Sequence, residues 1–212
     1  MTTKQWDKSR MPSRHVTEGP GRAPHRSYYY AMGLTEEEIA QPFVGVATCW
    51  NEAAPCNISL SRQAQSVKKG VKEAGGTPRE FTTITVTDGI AMGHQGMKSS
   101  LVSRDVIADS VELTVRGHCY DALVGVAGCD KSLPGMMMAM CRLNIPSVFM
   151  YGGSILQASS RARTSPSWTC SRRSGGMRPG RCRTRICTSW NAWRVRVRGR
   201  AAGSSRPTRW RR

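Results

Sequence analysis

The feature of this chain that most limits its fold is an alternation of short apolar segments with longer segments of helical periodicity. Runs rich in β-branched or other apolar residues occur at 42–50, 81–87, 121–128 and 146–153. Between them, apolar side chains recur at helical spacing over 60–71, 98–116 and from Pro134 to about Cys141. Strands that alternate with helices are typical of a parallel sheet, so the sequence predicts an α/β fold.

The alternation stops near Gln157, where the composition changes abruptly. All 14 acidic residues lie at or before Asp130, although the whole chain carries a formal net charge of +18. Residues 158–212 contain 16 arginines, no lysine and four of the six tryptophans. We therefore predict an extended N-terminal arm over 1–33, a partial α/β domain over 34–157 and a disordered Arg-rich tail over 158–212.

Membrane and secreted classes do not fit the pattern of apolar residues. No apolar run approaches the ~20 residues that a membrane-spanning helix needs, and the N-terminal segment MTTKQWDKSRMPSRH lacks the apolar core of a signal peptide. Eight cysteines in 212 residues are too few for a disulfide scaffold. These observations predict a cytoplasmic protein without membrane association, whose cysteines are buried thiols, metal ligands or reactive groups.

Three polar loops follow predicted strands, at 51–57, 88–96 and 128–135. The carboxyl ends of parallel strands meet at one edge of a sheet, where ligands bind. Cys56 and Cys129 offer two sulfur ligands for a soft metal centre, and Asp88 and Asp130 offer two oxygen ligands for a hard cation. In the structural alternative, the cysteines are small buried residues and the aspartates cap the following helices.

Four longer segments occur in order: VTEGPGRAPHRSYYYAMGLT, GVATCWNEAAPCNISL, TVTDGIAMGHQGMKSSLVSRDVIADSVE and GVAGCDKSLPGMMMAM. Together they resemble the N-terminal part of the dihydroxy-acid dehydratases, the iron–sulfur enzymes of valine, isoleucine and pantothenate biosynthesis. The resemblance is nearly continuous from about residue 11 to Ile155. The string GHQGMKSSLVSR favours this family over the sugar-acid and phosphogluconate dehydratases, which are the alternative.

The resemblance implies a lyase that removes water from a small 2,3-dihydroxy acid to give a 2-keto acid, and a homodimer. Cys56 and Cys129 match two of the family's three cluster cysteines, and the implied cluster is 2Fe–2S rather than 4Fe–4S. Asp88, Asp130 and a carbamylated Lys131 match its Mg²⁺ ligands. The third cysteine, a glutamate ligand and the serine base match no residue here. We therefore expect a truncated, inactive enzyme in which no catalytic residue is present.

The Arg-rich tail has two interpretations. Arginine and tryptophan without acidic residues are typical of an arm that binds nucleic acid non-specifically. Alternatively, permitted codons for Cys187–Trp193 and Ser204–Trp210, read with one constant offset, encode HELERV and FTANTM, which resemble the dehydratase sequence expected after GGSI. We expect a frameshift near residue 157, natural or a sequencing error, and no selected function for the tail. A non-catalytic assembly protein is a third alternative.

Overall fold

The computed structural model of the protein describes residues 6–155, 158–159 and 164–165. The first compact unit is Met1–Gly153. Its strands are β1 (Phe43–Thr48), β2 (Thr77–Thr82), β3 (Ala122–Ala127) and β4 (Ser147–Tyr151). Its helices are α1 (Arg14–Thr17), α2 (Ala23–Ala31), α3 (Glu36–Ala40), α4 (Leu60–Glu73), α5 (Asp88–Ala91), α6 (Lys98–Gly117) and α7 (Ser132–Leu143).

The four strands form one parallel sheet in the order β2-β1-β3-β4. Val44 is paired with Pro78 on one side and with Ala122 on the other, and Val124 is paired with Val148. Helices α4, α6 and α7 lie between successive strands in the sequence, as parallel connections require. The predicted α/β class with a parallel sheet is confirmed.

The core lies between the sheet and the long helices. Ile107 and Val111 of α6 and Met136 of α7 are fully buried together with Leu123 and Val126 of β3. Helices α6 and α7 approach closely at Gly135, where an added Cβ would lie 3.0 Å from the Arg104 carbonyl oxygen. The apolar residues at helical spacing that the sequence shows over 98–116 are therefore the face of α6 that packs inward.

The predicted strand at 81–87 is wrong in its position, because β2 is Thr77–Thr82. β2 pairs with β1 only as far as Thr48, where β1 ends, and the last ladder contact is the Thr83 amide donating to the Thr48 carbonyl at 2.8 Å. Among the described residues, no strand pairs with the β-branched residues beyond that point. They instead form an extended connection that leads to Asp88.

The N-terminal residues 11–33 are helical over much of their length, so the prediction of an extended arm is wrong for them. Pro20 begins a 3₁₀ turn and Pro24 lies in the first turn of α2, positions at which a proline needs no amide hydrogen bond. The prolines therefore start helices. The arm is also held to the domain, since the Ser13 amide donates to Asp121 Oδ1 at 2.8 Å.

In the second compact unit, Ser154–Arg212, the structure describes one antiparallel pair between β5 (Ala158–Ser159) and β6 (Thr164–Ser165). The predictions for the remainder of the tail at 158–212 lie outside the described residues. Within the described ranges, no helix combines the length and apolarity needed to cross a bilayer.

Candidate functional site

The strand order places three loops at the carboxyl edge of the sheet. Strand β1 lies between β2 and β3, so the connections that leave its two sides run in opposite directions across the sheet. A crevice forms at such a point in parallel sheets, outside the carboxyl ends of the strands. The loops that follow β1, β2 and β3 carry Cys56, Asp88 and Cys129, respectively.

Two thiols meet at this edge. Cys129 is only 4% exposed, whereas Cys56 is half-buried. The interaction of its thiol with that of Cys56 lowers the pKa of Cys129 to about 6, against the opposing effect of burial. The same interaction, together with burial, raises the pKa of Cys56. The pair therefore holds one negative charge readily, as thiolate ligands of a soft metal do.

Gly128 lets the two cysteine loops approach each other. An added Cβ on Gly128 would lie 2.2 Å from the Cys56 carbonyl oxygen and 2.9 Å from Asn57 Oδ1. No side chain fits in that space, because real Cβ atoms do not come so close to backbone atoms. The glycine immediately before Cys129 is thus a requirement of the contact between Cys129 and Cys56.

Asn57 joins the loops after β1 and β2. Its buried amide group donates to the Cys49 carbonyl and to Thr85 Oγ1, the latter at 2.8 Å. Asn57 Oδ1 is buried beside Gly128 and has no hydrogen-bond partner within the part of the chain that the structure describes. Asn57 therefore fixes the backbone directly after Cys56 against both neighbouring loops.

The oxygen ligands predicted from the sequence lie around the amine of Lys131. Lys131 Nζ donates to Asp88 Oδ2 at 2.8 Å and also to Asp130 Oδ2. The second oxygen of Asp88 accepts a hydrogen bond from Ser100 Oγ, and Ser100 is fully buried near the start of α6. Asp88 is thereby held in one orientation, with one oxygen left for the charge beside it.

The charges in this group stabilise one another. Burial acts to raise the pKa of Asp88, but the hydrogen bonds from Lys131 and Ser100 outweigh it and hold that pKa below its usual value. Hydrogen bonds to Asp130 and Asp88 raise the pKa of Lys131. Lys131 thus places one positive charge between two carboxylates.

The capping alternative for the aspartates is not what the structure shows. Asp88 is the first residue of α5, and Asp130 precedes α7, yet neither helix has a hydrogen bond from a capping side chain. The Asp88 carboxylate points to Ser100 and Lys131 instead. For the cysteines, burial of Cys129 agrees with a structural role, but its contact with Cys56 is additional to that role.

The donor groups fit the two kinds of metal group in part. Across the described ranges, no three His, Cys, Asp or Glu side chains are close enough to form a complete metal site. The two thiols suit iron, and the two carboxylates suit a hard cation, but each set is short of ligands.

The supporting residues Asn57, Ser100, Gly128 and Ser132 were not predicted from the sequence. Ser132 Oγ bonds both the amide and the carbonyl of Cys129, each at 3.0 Å. Two of them are next to predicted ligands in the sequence, which could have pointed to them: Asn57 directly follows Cys56, and Gly128 directly precedes Cys129. The sequence offers no comparable indication for Ser100, because only the folded structure shows that its hydroxyl lies beside Asp88.

Comparison with known proteins shows which family this chain resembles. The family described as dihydroxy-acid/6-phosphogluconate dehydratase N-terminal matches residues 41–201. A protein named dihydroxy-acid dehydratase from Parvibaculum lavamentivorans is 87% identical over 156 residues, which are 74% of this chain and 27% of that protein. A protein of the same name from Dinoroseobacter shibae is 82% identical over 156 residues, with the same two shares.

A more distant relative extends the comparison. The dihydroxy-acid dehydratase of Metallosphaera sedula is 58% identical over 158 residues, which are 74% of this chain and 28% of that protein. The chain thus spans little more than a quarter of the length of these relatives. The resemblance that the sequence motifs indicated is confirmed, and the chain belongs to the dihydroxy-acid/6-phosphogluconate dehydratase family through its N-terminal domain.

Proposed function

We propose that residues 34–155 form the N-terminal share of the active site of a dihydroxy-acid dehydratase. The reaction would convert 2,3-dihydroxy-3-methylbutanoate to 3-methyl-2-oxobutanoate and water. The observation that carries the proposal is the gathering of a thiol pair, Cys56 and Cys129, beside a group of two carboxylates and an amine at one sheet edge. Membership of the family supports the reaction class.

In this proposal Cys56 and Cys129 hold an iron–sulfur cluster, of the 2Fe–2S type. Support comes from the interaction of the two thiols, because a low pKa at Cys129 keeps a thiolate available near neutral pH. A cluster needs at least one further ligand, and we assign none among the described residues. We therefore expect the chain alone to retain little iron.

Asp88, Asp130 and Lys131 would hold Mg²⁺. Addition of carbon dioxide to the Lys131 side chain, with loss of two protons from its ammonium form, replaces a cation by a carboxylate and gives three oxygen-bearing side chains close together. The Ser100 hydroxyl keeps Asp88 Oδ1 occupied, so that Oδ2, which faces Lys131, is the oxygen that would be free to hold the ion. Three negative ligands suit a hard divalent cation, which prefers oxygen.

When bound, the two metal groups supply Lewis-acid polarisation of the C3 hydroxyl and neutralise charge at the carboxylate and the C2 oxygen. The described side chains position these groups and keep their ligands in fixed orientations. The serine that takes the C2 proton in the family matches no residue of this chain, so this step depends on the part of the dehydratases that the chain does not cover. The proposal also includes homodimer formation, which the family resemblance implies, and a cytoplasmic location.

The test uses a full-length relative as host. Residues 41–155 of this chain would replace the aligned segment of the Parvibaculum lavamentivorans protein, and turnover of 2,3-dihydroxy-3-methylbutanoate would be measured. We expect turnover in the exchanged protein and none in the 212-residue chain alone. Loss of turnover in the folded exchanged protein would contradict the proposal. A preference for a phosphorylated sugar acid over the dihydroxy acid would favour the alternative dehydratase.

A further inference from the structure

Cys56 and Cys129 are brought together from loops that follow different strands. The backbone of Cys56 lies against Gly128, the residue before Cys129: a Cβ on Gly128 would stand 2.2 Å from the Cys56 carbonyl oxygen. Each thiol also shifts the pKa of the other, as neighbouring thiols do. A disulfide needs two cysteines at short range, since otherwise the backbone must move. The contact at Gly128 brings the two cysteine loops together before any metal is present.

We propose that Cys56 and Cys129, in the iron-free chain, form a thiol–disulfide exchange site that a low-molecular-weight disulfide such as glutathione disulfide oxidises to an internal disulfide. The proposal concerns a modification of this pair and does not depend on the dehydratase function. It requires only that the two thiols keep the contact described above.

The exchange has two steps, and its atoms balance. The Cys56 thiol loses its proton and attacks a sulfur of the disulfide RSSR, which forms a mixed disulfide and releases RS⁻. Cys129, as its thiolate, then attacks the Cys56 sulfur of the mixed disulfide, which forms the Cys56–Cys129 bond and releases a second RS⁻. In total, two thiols give up two electrons and two protons, and RSSR becomes two RSH.

Exposure determines which sulfur meets the oxidant. Cys56 is half-buried and reachable from solvent, whereas Cys129 is 4% exposed. Cys56 is therefore the residue that carries the mixed disulfide, and Cys129 is the residue that resolves it. The neighbouring Cys49 is fully buried at the end of β1, so it lacks the access that the first step needs.

The two sulfurs can therefore be either thiolates that bind a metal or the two halves of a disulfide. A disulfide removes both thiolates from the set of metal ligands, so an oxidised pair cannot bind iron. Reduction restores both thiols. In the absence of iron, the oxidation state of the Cys56–Cys129 pair would thus follow the ratio of thiols to disulfides in its surroundings.

The test uses the iron-free 212-residue chain, first reduced and then treated with glutathione disulfide. Remaining thiols are blocked with N-ethylmaleimide, and linked peptides are identified by mass spectrometry without reduction. Trypsin is combined with a protease that cuts after Glu and Asp, because cuts at Glu52 and Asp121 separate Cys56 from Cys49 and Cys129 from Cys119. We expect the Cys56–Cys129 link to exceed any other link by about tenfold.

Two comparisons test whether the fold causes the link. In denaturant the preference for Cys56–Cys129 should disappear, because the contact no longer exists. Gly128→Ala should lower the yield of the link about tenfold by displacing Cys56, whereas Gly70→Ala, at an open helical position, should leave it unchanged. Cys49→Ser and Cys119→Ser should also leave it unchanged.

The proposal is overturned if both thiols remain open to N-ethylmaleimide after oxidation. It is also overturned if Cys56 links equally to several cysteines, or if denaturant leaves the pattern of links as it was. None of these outcomes bears on turnover by the exchanged full-length protein. Failure of the disulfide and failure of the dehydratase function are therefore separate results.

Discussion

Gly128 lies against the carbonyl oxygen of Cys56 so closely that an added Cβ would stand 2.2 Å from that oxygen. The residues belong to loops that follow β3 and β1, which are neighbouring strands of the sheet. The close approach brings Cys129 near enough to Cys56 for each thiol to shift the pKa of the other. A single missing side chain thus controls the geometry of the candidate cluster ligands.

Gly128→Ala should therefore destabilise the domain. The new methyl group meets backbone atoms that cannot rotate away, so we expect a loss of about 1–3 kcal/mol in the free energy of unfolding. Urea denaturation followed by circular dichroism measures the change. Gly70→Ala is the matched control, because Gly70 lies in α4 with open space around it and alanine should add up to ~1 kcal/mol there. Equal effects of the two substitutions would contradict the packing described.

Asn57→Ala should loosen the loops without opening the core. It removes the hydrogen bonds to the Cys49 carbonyl and Thr85 Oγ1 and leaves both acceptors buried, at a cost of about 1–3 kcal/mol. We also expect faster alkylation of Cys129, which can be followed by mass spectrometry. Asn51→Ala is the control, since Asn51 contacts Ala53 at an exposed position and Thr85 at 3.4 Å. An alkylation rate that Asn57→Ala does not change would argue against this role.

Lys8 should make stability depend on pH in the alkaline range. Burial lowers the pKa of Lys8 to about 8 from an ordinary 10.5, although Asp121 and Glu18 act in the opposite direction. Its amine donates to the Ile39 carbonyl at 2.7 Å and lies 4.6 Å from the centre of the Phe43 ring. Between these two pKa values the unfolded chain binds more protons than the folded one, so stability rises with pH.

The measurement compares the protein with Lys8→Met by urea denaturation at a series of pH values. The free energy of unfolding of the unmodified protein should increase relative to that of Lys8→Met as pH rises from about 8 to 10.5. Below pH 8 the difference should be constant. Lys98→Met, which replaces an exposed lysine, serves as the control. A difference that stays flat across the whole range would show that Lys8 is not buried as a charged group.

The large elements of the fold were predictable because their patterns are local. β1, β3 and β4 lie within two residues of the predicted runs, and α6 begins at the predicted residue, 98. β2 was misplaced because β-branched residues favour strands, yet pairing is decided by where the partner β1 ends. The prolines of the N-terminal segment suggest an extended arm, but proline is also favoured in the first turn of a helix. Which of the two occurs depends on the neighbouring residues.

The candidate site was predictable only in part. The positions of Cys56, Asp88 and Cys129 after strands indicated one sheet edge, and the structure places them there. The hydrogen bond from Ser100 to Asp88 and the passage of Cys56 over Gly128 depend on contacts between distant segments. Such contacts leave no periodic pattern in the sequence. The roles of the five predicted ligands therefore remain predictions.

The central claim is that the Cys56–Cys129 pair holds iron beside the oxygen-bearing group of Asp88. Its most direct test is the iron and sulfide content of the full-length Parvibaculum lavamentivorans protein carrying residues 41–155 of this chain, after anaerobic reconstitution. We predict that Cys56→Ser and Cys129→Ser each remove most of the bound iron, while Cys119→Ser, a cysteine outside the pair, leaves the content unchanged. Full iron content in both Cys56→Ser and Cys129→Ser would contradict the claim.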